Sequence, residues 1–348
     1  MDSRSRRFGL LSRAMRREPI LRSLLWRVVV VGLLIGAFYA GIRYGSPATG
    51  GMVGASMATG FFALERFVLR RNAGGLIRPL PFLTYFALRS ILYVGVIVLA
   101  IVVVSELVSG RFGGIGGVDL LFSLSLVVGA NLLLSVNDLL GPGMLFAFAA
   151  GRYYEPRIEE RALLFIDMRS STAIAERLGE LSYLKFLNRF IADVSLGVAE
   201  GGGEIHKYVG DEIIATWRLA PGVNEAQCVG ACFAALDRLN AQGPAYEREF
   251  GQRADFRAGL RCGPVAVGEL GTLKKEIALI GDAMNTAARI LEACRAADSR
   301  VLASAALLDR IAALPPRVTR RALGELAMRG KERALELYVL EAQSAGVG

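Results

Sequence analysis

Histidine and cysteine are scarce in this sequence. Its 348 residues contain one histidine, His206, and four cysteines. No two cysteines form a CxxC pair, which argues against a Cys/His zinc site and against the disulfide framework of a small secreted domain. We expect the cysteines to be small buried apolar residues in a reducing compartment. They are Cys228, Cys232, Cys262 and Cys294.

Lysine is absent from residues 1–150, which carry 15 arginines and six acidic residues. Residues 151–348 carry 26 basic and 26 acidic side chains, so the net charge of +9 lies entirely in the first part. A hydrophobic content of 53% is high for a wholly soluble enzyme, and 21% charged residues are too many for a pure transporter. The composition therefore predicts a membrane half joined to a soluble half.

Four hydrophobic stretches occur before residue 141. Each is close to the roughly 20 residues that a helix needs to cross a bilayer. No cleavage site of small residues follows the first stretch, so we do not expect a cleaved signal peptide. The sequence predicts a four-helix transmembrane domain over residues 24–140. Its predicted spans are Leu24–Ile42, Gly50–Leu69, Pro81–Val104 and Asp119–Leu140.

The placement of arginine predicts how these spans are oriented. Seven arginines precede the first span and three separate the second from the third, whereas the other two loops hold only Arg43 and Arg111. We therefore expect a multi-pass membrane protein, with both termini in the cytoplasm and residues 1–23 as a basic cytoplasmic segment. The preference for arginine over lysine and the absence of organelle signals favour a bacterial cytoplasmic membrane. Arg89 lies about two turns inside the third span, from where it could snorkel to the surface.

Small and polar residues within the spans predict helix contacts. Gly50, Gly54 and Ala58 have the small-xxx-small spacing of closely packed helices, either within one bundle or along a dimer seam. Polar residues at membrane depth in the fourth span are expected to face other helices, or to bind a ligand that the sequence does not identify. These are Asn131, Asn137 and Asp138.

The soluble half alternates strand and helix patterns. We expect a connector over residues 141–157, one α+β domain with a mixed sheet over 158–342, and a tail over 343–348. The pattern predicts a strand at Ala162–Asp167, two further strands at Phe256–Leu260 and Val265–Glu269, and a short strand at Ile277–Ile280. Predicted helices include Asn224–Asn240, Asp282–Ala296 and one near Ala305–Ala313.

Two carboxylates, at a strand end and at a hairpin tip, are candidate metal ligands. Asp167 ends the first strand, and Asp211 lies at the tip of a hairpin between Glu204–Tyr208 and Ile213–Trp217. Without histidine or cysteine nearby, two acids suit hard divalent ions such as Mg²⁺ or Mn²⁺. The amides of residues 169–172 open a helix and could cradle phosphate oxygens. The alternative is structural: a turn aspartate and a residue next to a helix cap.

Four further motifs occur in order along the soluble half: LFIDMRSST at 164–172, HKYVGDE at 206–212, IGDAMNTAAR at 280–289 and RGKE at 329–332. Together they resemble the catalytic domain of the class III adenylyl/guanylyl cyclases. The resemblance covers about residues 158–342 and implies a ferredoxin-like, palm-type mixed sheet with flanking helices. The hairpin alone would also suit a diguanylate cyclase, but Asn285, Arg289 and Lys331 argue against that assignment.

The resemblance implies a role for each matching residue. Asp167, Asp211 and the carbonyl of Ile166 would bind two divalent metal ions, Mg²⁺ or Mn²⁺. Lys207 would read the purine, Asn285 and Arg289 would act on the ribose and the transition state, and Lys331 would hold the terminal phosphates. We also expect Ser170, Ser171 and Thr172, which lie in the amide cradle, to bind substrate. Asn285 and Arg289 stand four residues apart, which places them on one helix face.

The same resemblance implies a reaction and an assembly. The ribose 3′-oxygen of ATP would attack the α-phosphate and release pyrophosphate, at sites that two copies of the chain share in a homodimer. Ala278 departs from the family, because many adenylyl cyclases carry Asp, Thr or Ser there to help read adenine. A guanylyl cyclase, a non-catalytic nucleotide-binding receptor, and a transporter regulated by its soluble half remain alternatives. Nucleic acid is not an expected partner.

Overall fold

The computed structural model describes residues 25–65, 82–109, 117–140, 150–219, 225–326 and 334–343. The chain divides into two compact units, residues 1–140 and residues 141–348. We call them the N-terminal unit and the C-terminal unit and describe each separately.

The described part of the N-terminal unit consists of helices. They are α1 (Leu25–Tyr44), α2 (Pro47–Ala63), α3 (Phe82–Ser109) and α4 (Gly117–Leu140). Two of them, α1 and α3, are long and apolar enough to cross a membrane. Helix α2 has 17 residues, and α4 contains a shorter apolar stretch, Leu121–Val136. The structure thus supports two of the four predicted spans on length and composition.

Helices α1 and α2 pack through their glycines. A Cβ atom added to Gly36 would lie 2.1 Å from the carbonyl oxygen of Gly50, and one added to Gly32 would lie 2.5 Å from that of Gly54. Such distances exclude any side chain, so the two backbones are in direct contact. The predicted packing of Gly50 and Gly54 within one chain is confirmed. Their partners on α1 were not recognised from the sequence.

Arg89 on α3 is buried, with a relative exposure of 2%, and does not snorkel. Its guanidinium donates to Glu65, with Nη2 and Oε1 2.6 Å apart, and to the hydroxyl of Tyr93 at 3.0 Å. Tyr93 in turn donates to Glu65. The prediction of snorkelling was wrong because Glu65, just after the preceding helix, pairs with Arg89 inside the unit.

Asn131 on α4 faces another helix, as its polarity predicted. Its amide nitrogen donates to the hydroxyl of Ser90 at 2.7 Å and to the carbonyl of Phe86 at 3.2 Å, both on α3. Side-chain hydrogen bonds of this kind tie apolar helices together. The side chains of Asn137 and Asp138 lie outside the described part of the chain.

The C-terminal unit alternates strands and helices in the described residues. Its first half contains β1 (Arg157–Met168), α5 (Ser171–Leu178), α6 (Glu180–Glu200), β2 (Glu204–Val209), β3 (Glu212–Arg218) and α7 (Ala226–Phe250). Its second half contains β4 (Phe256–Leu270), β5 (Glu276–Ile280), α8 (Asp282–Ala296), β6 (Val301–Ser304), α9 (Ala305–Leu308), β7 (Val318–Leu326) and β8 (Leu335–Ala342).

One mixed sheet joins these strands in the order β2-β3-β1-β4-β6-β8-β7, with β5 paired to β4. Strands β4 and β6 run parallel, whereas the other pairs are antiparallel. This agrees with the predicted α+β domain with a mixed sheet.

Alternation along the strands gives the sheet two apolar faces. Leu164, Ile166 and Ala215 pack under α6 and α7, on what we call the α6–α7 face. Leu163, Phe165 and Ile214 pack with residues of α8, on what we call the α8 face. Asp167 follows Phe165 by two residues, so it lies on the α8 face.

Strand β4 is continuous where the sequence predicted two strands. Pro264, which lies between the two predicted strands, stands opposite Glu160 of β1 within an unbroken register. On its other edge, β4 pairs with β6 at residues 258–260 and with β5 at 266–270. In the described residues no strand lies beside 261–265 on that edge, so a residue without an N–H is tolerated there.

Two helix predictions erred in length. Helix α7 continues through Pro244 to Phe250, ten residues beyond the predicted end. The rings of Tyr246 and Phe250 pack edge-on against Phe186 at centroid distances of 5.4 and 5.2 Å, and this burial outweighs the roughly 3 kcal/mol cost of an internal proline. The helix expected near Ala305–Ala313 is shorter, ending at Leu308.

All four cysteines are free and buried, as predicted. Burial raises the pKa of the Cys228 thiol to about 12 and that of Cys294 to about 12. Thiols with such pKa values remain protonated at neutral pH, so they act as small apolar side chains.

Candidate active site

Asp167 and Asp211 come together at one end of β1. Asp167 stands opposite Glu212, the first residue of β3, and Asp211 immediately precedes it in the hairpin. Gly210 adopts a φ of +63°, which allows the tight turn before Asp211. The sequence pattern placed both acids correctly because a strand end and the neighbouring hairpin tip share one edge of the sheet.

The carboxyl group of Asp167 is perturbed by its surroundings. Burial raises the pKa of Asp167, Arg295 opposes this rise through a hydrogen bond, and the nearby Asp211 raises the pKa further. The pKa of Glu212 is also raised, by burial and then by the charges of Asp167 and Asp211. Burial and neighbouring negative charge together therefore disfavour the ionised forms of Asp167 and Glu212.

The acid pair suits a hard divalent ion. One carboxylate oxygen of Asp211, Oδ2, is buried and has no hydrogen-bond partner. An orphaned buried carboxylate oxygen is costly unless something positive binds it. Within the described ranges, no group of three or more Asp, Glu, His or Cys side chains converges on one point. Two carboxylates are enough for Mg²⁺, which commonly completes its shell with water and substrate phosphates.

Ile166 was predicted as a backbone ligand. Its side chain is fully buried on the α6–α7 face, so only its carbonyl oxygen could reach a metal beside Asp167. That role stays a prediction.

The start of α5 follows the acid strand closely. Ser170 caps the helix in the left-handed region, with φ of 59°, and its carbonyl accepts from the amide of Ile174 at 3.0 Å. The amide of Arg169 donates to the carbonyl of Asp255 at 2.9 Å, so it is not available to a phosphate. The predicted cradle of residues 169–172 therefore narrows to the amides of Ser170, Ser171 and Thr172.

A hydroxyl pair lies near the start of α5. Ser171 is hydrogen-bonded to Tyr183 of α6, and the pKa of Tyr183 is raised, first by burial and then by the charge of Asp211. The tyrosine hydroxyl therefore remains a donor close to the acid pair. Thr172 is exposed.

Lys207, the predicted purine-reading residue, lies on β2 and pairs with Glu276 of β5. Its Nζ atom is 3.1 Å from Oε1 of Glu276. Ala278 lies two residues further along β5 and offers only a methyl group. The pairing with Glu276 was missed from the sequence, although strand alternation would have shown that Glu276 and Ala278 share a face.

Asn285 and Arg289 both lie on α8, as predicted, and the helix has the predicted bounds Asp282–Ala296. Gly281 is its N-cap residue, and Asp282 is the first helical residue. The carboxylate of Asp282 accepts from the hydroxyl of Thr286 one turn later. Lys331 lies outside the described residues.

Arg295, in the last turn of α8, is a second residue that the motifs did not reveal. Its Nη2 atom lies 2.8 Å from Oδ2 of Asp167. A guanidinium thus occupies one side of the acid pair within the same chain. No spacing signal in the sequence links residues 128 positions apart.

Comparison with known proteins agrees with this geometry. The family model described as the adenylate and guanylate cyclase catalytic domain matches residues 153–342. Adenylate cyclase 2 of Rhizobium meliloti (strain 1021) is 32% identical over 347 residues, which cover 94% of this chain and 92% of that protein. An adenylate cyclase of Anabaena cylindrica is 27% identical over 185 residues, 52% of this chain and 36% of that protein.

Among solved structures, a bacterial light-regulated adenylyl cyclase has a similar fold. It superposes with a TM-score of 0.53 at 20% sequence identity, covering 67% of this chain and 68% of that one. At this level of identity the likeness concerns the fold.

Proposed function

Because the chain belongs to the adenylate and guanylate cyclase family, we propose that it converts ATP to 3′,5′-cyclic AMP and pyrophosphate at sites shared between two copies of the chain. The family match covers residues 153–342, and the Rhizobium adenylate cyclase resembles the chain over nearly its whole length. The observation that carries the proposal is the juxtaposition of Asp167 and Asp211 on the α8 face, with the Lys207–Glu276 pair on β2 and β5.

Asp167 and Asp211 would hold two divalent metal ions, Mg²⁺ or Mn²⁺, together with the carbonyl of Ile166. When bound, such ions lower the pKa of a hydroxyl group and neutralise phosphate charge. The orphaned Oδ2 atom of Asp211 supports this assignment, and so does the pKa of Asp167, which is raised first by burial and further by the neighbouring charge of Asp211.

The reaction forms a bond between the ribose 3′-oxygen and the α-phosphorus and breaks the bond from that phosphorus to the β-phosphate oxygen. The 3′-hydroxyl proton leaves to solvent, and pyrophosphate is released. Arg289 would stabilise the charge that grows on the α-phosphoryl oxygens, and Asn285 would orient the ribose. The amides of Ser170, Ser171 and Thr172, with Lys331, would hold the phosphates.

The layout of α8 supports a site built from two chains. Arg295 reaches Asp167 of its own chain. Arg289 precedes Arg295 by six residues, which places it about 120° around the helix and about 9 Å along it. The side chain of Arg289 thus starts from a different face of α8 than the one directed at its own acid pair. A second copy would supply the acids that Arg289 serves.

The N-terminal unit would anchor the enzyme in a membrane. The apolar helices α1 and α3 and the arginine-rich residues 1–23 support this role. We propose that all four helices of the unit enter the cytoplasmic membrane, with both termini in the cytoplasm, and that the unit regulates the enzyme in response to an unidentified ligand or partner.

The direct test is to purify the full-length protein in detergent, add Mn²⁺ and either ATP or GTP, and quantify cyclic AMP and cyclic GMP. The proposal predicts cyclic AMP from ATP at a higher rate than cyclic GMP from GTP. Cyclic GMP as the main product would establish a guanylyl cyclase instead. Absence of both products from protein that still binds nucleotide would indicate a non-catalytic receptor.

A further inference from the structure

The ion pair between Lys207 and Glu276 joins two strands that are not neighbours in the sheet. Nζ of Lys207 lies 3.1 Å from Oε1 and 3.5 Å from Oε2 of Glu276. The side chains are half exposed, at 49% and 40%. Exposed pairs of this kind contribute little to stability. The main effect of the pair is therefore to fix the position of the Lys207 ammonium group.

A β-bulge aims Lys207 at this partner. Ile205 pairs with Ala215 and Lys207 pairs with Ile214, so His206 is left as the extra residue. Ala215 lies on the α6–α7 face, whereas Ile214 lies on the α8 face. Regular alternation would have kept Lys207 on the same face as Ile205, and the bulge moves it to the other.

Glu276 lies beside the residue where the family pattern is broken. Glu276 and Ala278 are two residues apart on β5, about 7 Å along one face of the strand. The intervening Ile277 and the following Leu279 point into the core. The methyl group of Ala278 cannot form a hydrogen bond with Lys207. The longer side chain of Glu276, two residues earlier on the strand, reaches Lys207 instead.

We propose that Glu276 is a positioning and specificity-determining residue for the purine, fixing Lys207 in the role that Ala278 cannot support; the inference rests on the proposed function. An ammonium group has three donors, so Lys207 keeps at least one for a ring nitrogen acceptor of adenine. The carboxylate of Glu276 retains lone pairs for the 6-amino group, a donor. Guanine has an acceptor, O6, where adenine has a donor, and a donor, N1–H, where adenine has an acceptor, so it does not match this arrangement.

The experiment measures binding and turnover separately in the full-length protein. Binding uses 3′-deoxy-ATP and 3′-deoxy-GTP with Mn²⁺, because neither analogue can cyclise. The variants are Glu276→Gln, which keeps the shape of the side chain, Glu276→Ala, and Glu276→Ala combined with Ala278→Asp. The matched control is Glu269→Gln on the same hairpin, whose carboxylate bonds to Lys275 at 3.1 Å and not to Lys207.

We expect wild type and Glu269→Gln to prefer 3′-deoxy-ATP equally. The preference should fall roughly tenfold in Glu276→Gln and Glu276→Ala, and Ala278→Asp should restore most of it by returning a carboxylate to the same face. An unchanged preference in both single variants, or no preference in the wild type, would overturn the inference. Failure of the wild type to form cyclic AMP from ATP would instead overturn the proposed function, and the binding preference would still decide the role of Glu276.

Discussion

Arg295 donates to Asp167 across 2.8 Å, although 128 residues separate them. Burial raises the pKa of that carboxyl group, the hydrogen bond from Arg295 opposes this rise, and the charge of Asp211 adds to it. A metal ion bound to Asp167 would compete with Arg295 for this carboxylate. The contact between Arg295 and Asp167 would therefore weaken the binding of metal.

We therefore expect Arg295→Gln to bind Mn²⁺ about three- to tenfold more tightly than wild type, since one competing positive charge is removed. Titration with Mn²⁺ followed by electron paramagnetic resonance measures this without turnover. Arg300→Gln is the control, because Arg300 lies nearby and bonds to Asp255 at 3.0 Å. Equal or weaker Mn²⁺ binding by Arg295→Gln would show that the contact does not compete with metal.

Removing either acid of the pair should abolish catalysis. Asp167→Ala or Asp211→Ala is expected to lower the rate of cyclic nucleotide synthesis on the order of 1,000-fold, because both activation of the nucleophile and charge neutralisation are lost. The exposed Asp237→Ala on α7 is the matched control. Size-exclusion chromatography should show unchanged assembly. A variant of either acid that keeps more than about a tenth of the wild-type rate would refute the metal assignment.

His206 should make the stability of the C-terminal unit depend on pH. Burial, then the charges of Lys207 and Arg161, lower its pKa from 6.5 to about 4. The unfolded chain binds this proton more readily, so the contribution is complete above pH 6.5 and is lost as the pH falls toward 4.

Between pH 6.5 and 4, the free energy of unfolding of His206→Asn should thus fall by up to about 3 kcal/mol less than that of the wild type. Unfolding in urea, followed by fluorescence of the buried Trp217 in a Trp26→Phe background, provides the comparison. Parallel pH curves for the two proteins would mean that His206 titrates alike in the folded and unfolded chains.

In the N-terminal unit, Glu65→Gln should leave the buried Arg89 without its acid and destabilise the detergent-solubilised protein by about 3 kcal/mol. Replacing Glu65 and Arg89 together by leucine should recover most of that loss, because no buried charge then remains. Thermal unfolding of the single and double variants measures the coupling. The exposed Glu106→Gln on α3 is the control. Additive effects would contradict an energetically coupled pair.

Much of the site was predictable because its residues lie in local motifs. Asp167 at a strand end and Asp211 in a tight turn are placed by short-range geometry, and Asn285 and Arg289 by helical spacing. Arg295 and Glu276 were not predicted, because their contacts depend on how α8 and the β4–β5 hairpin fold against distant strands. The bulge at His206 was also missed, since alternation alone assigns Lys207 to the wrong face.

The fold of the C-terminal unit was predicted in class and in most elements, and its errors have tertiary causes. The break predicted between two strands is absent from β4, because Pro264 lies where, among the described residues, one edge of the strand has no partner. Helix α7 runs past its predicted end because the packing of Tyr246 against Phe186 accommodates Pro244. In the N-terminal unit, hydropathy located four apolar stretches. It could not reveal the partner of Arg89, because Glu65 lies 24 residues away.

Complementation between two inactive variants tests directly whether two chains share each site. Asp211→Ala and Arg289→Ala proteins are mixed, heterodimer formation is verified with two different affinity tags, and cyclic AMP formed from ATP is quantified. If each site takes its acids from one chain and Arg289 from the other, a heterodimer contains one intact site, and we expect cyclic AMP synthesis well above that of either variant alone. Heterodimers that form no more cyclic AMP than the separate variants would contradict the shared site.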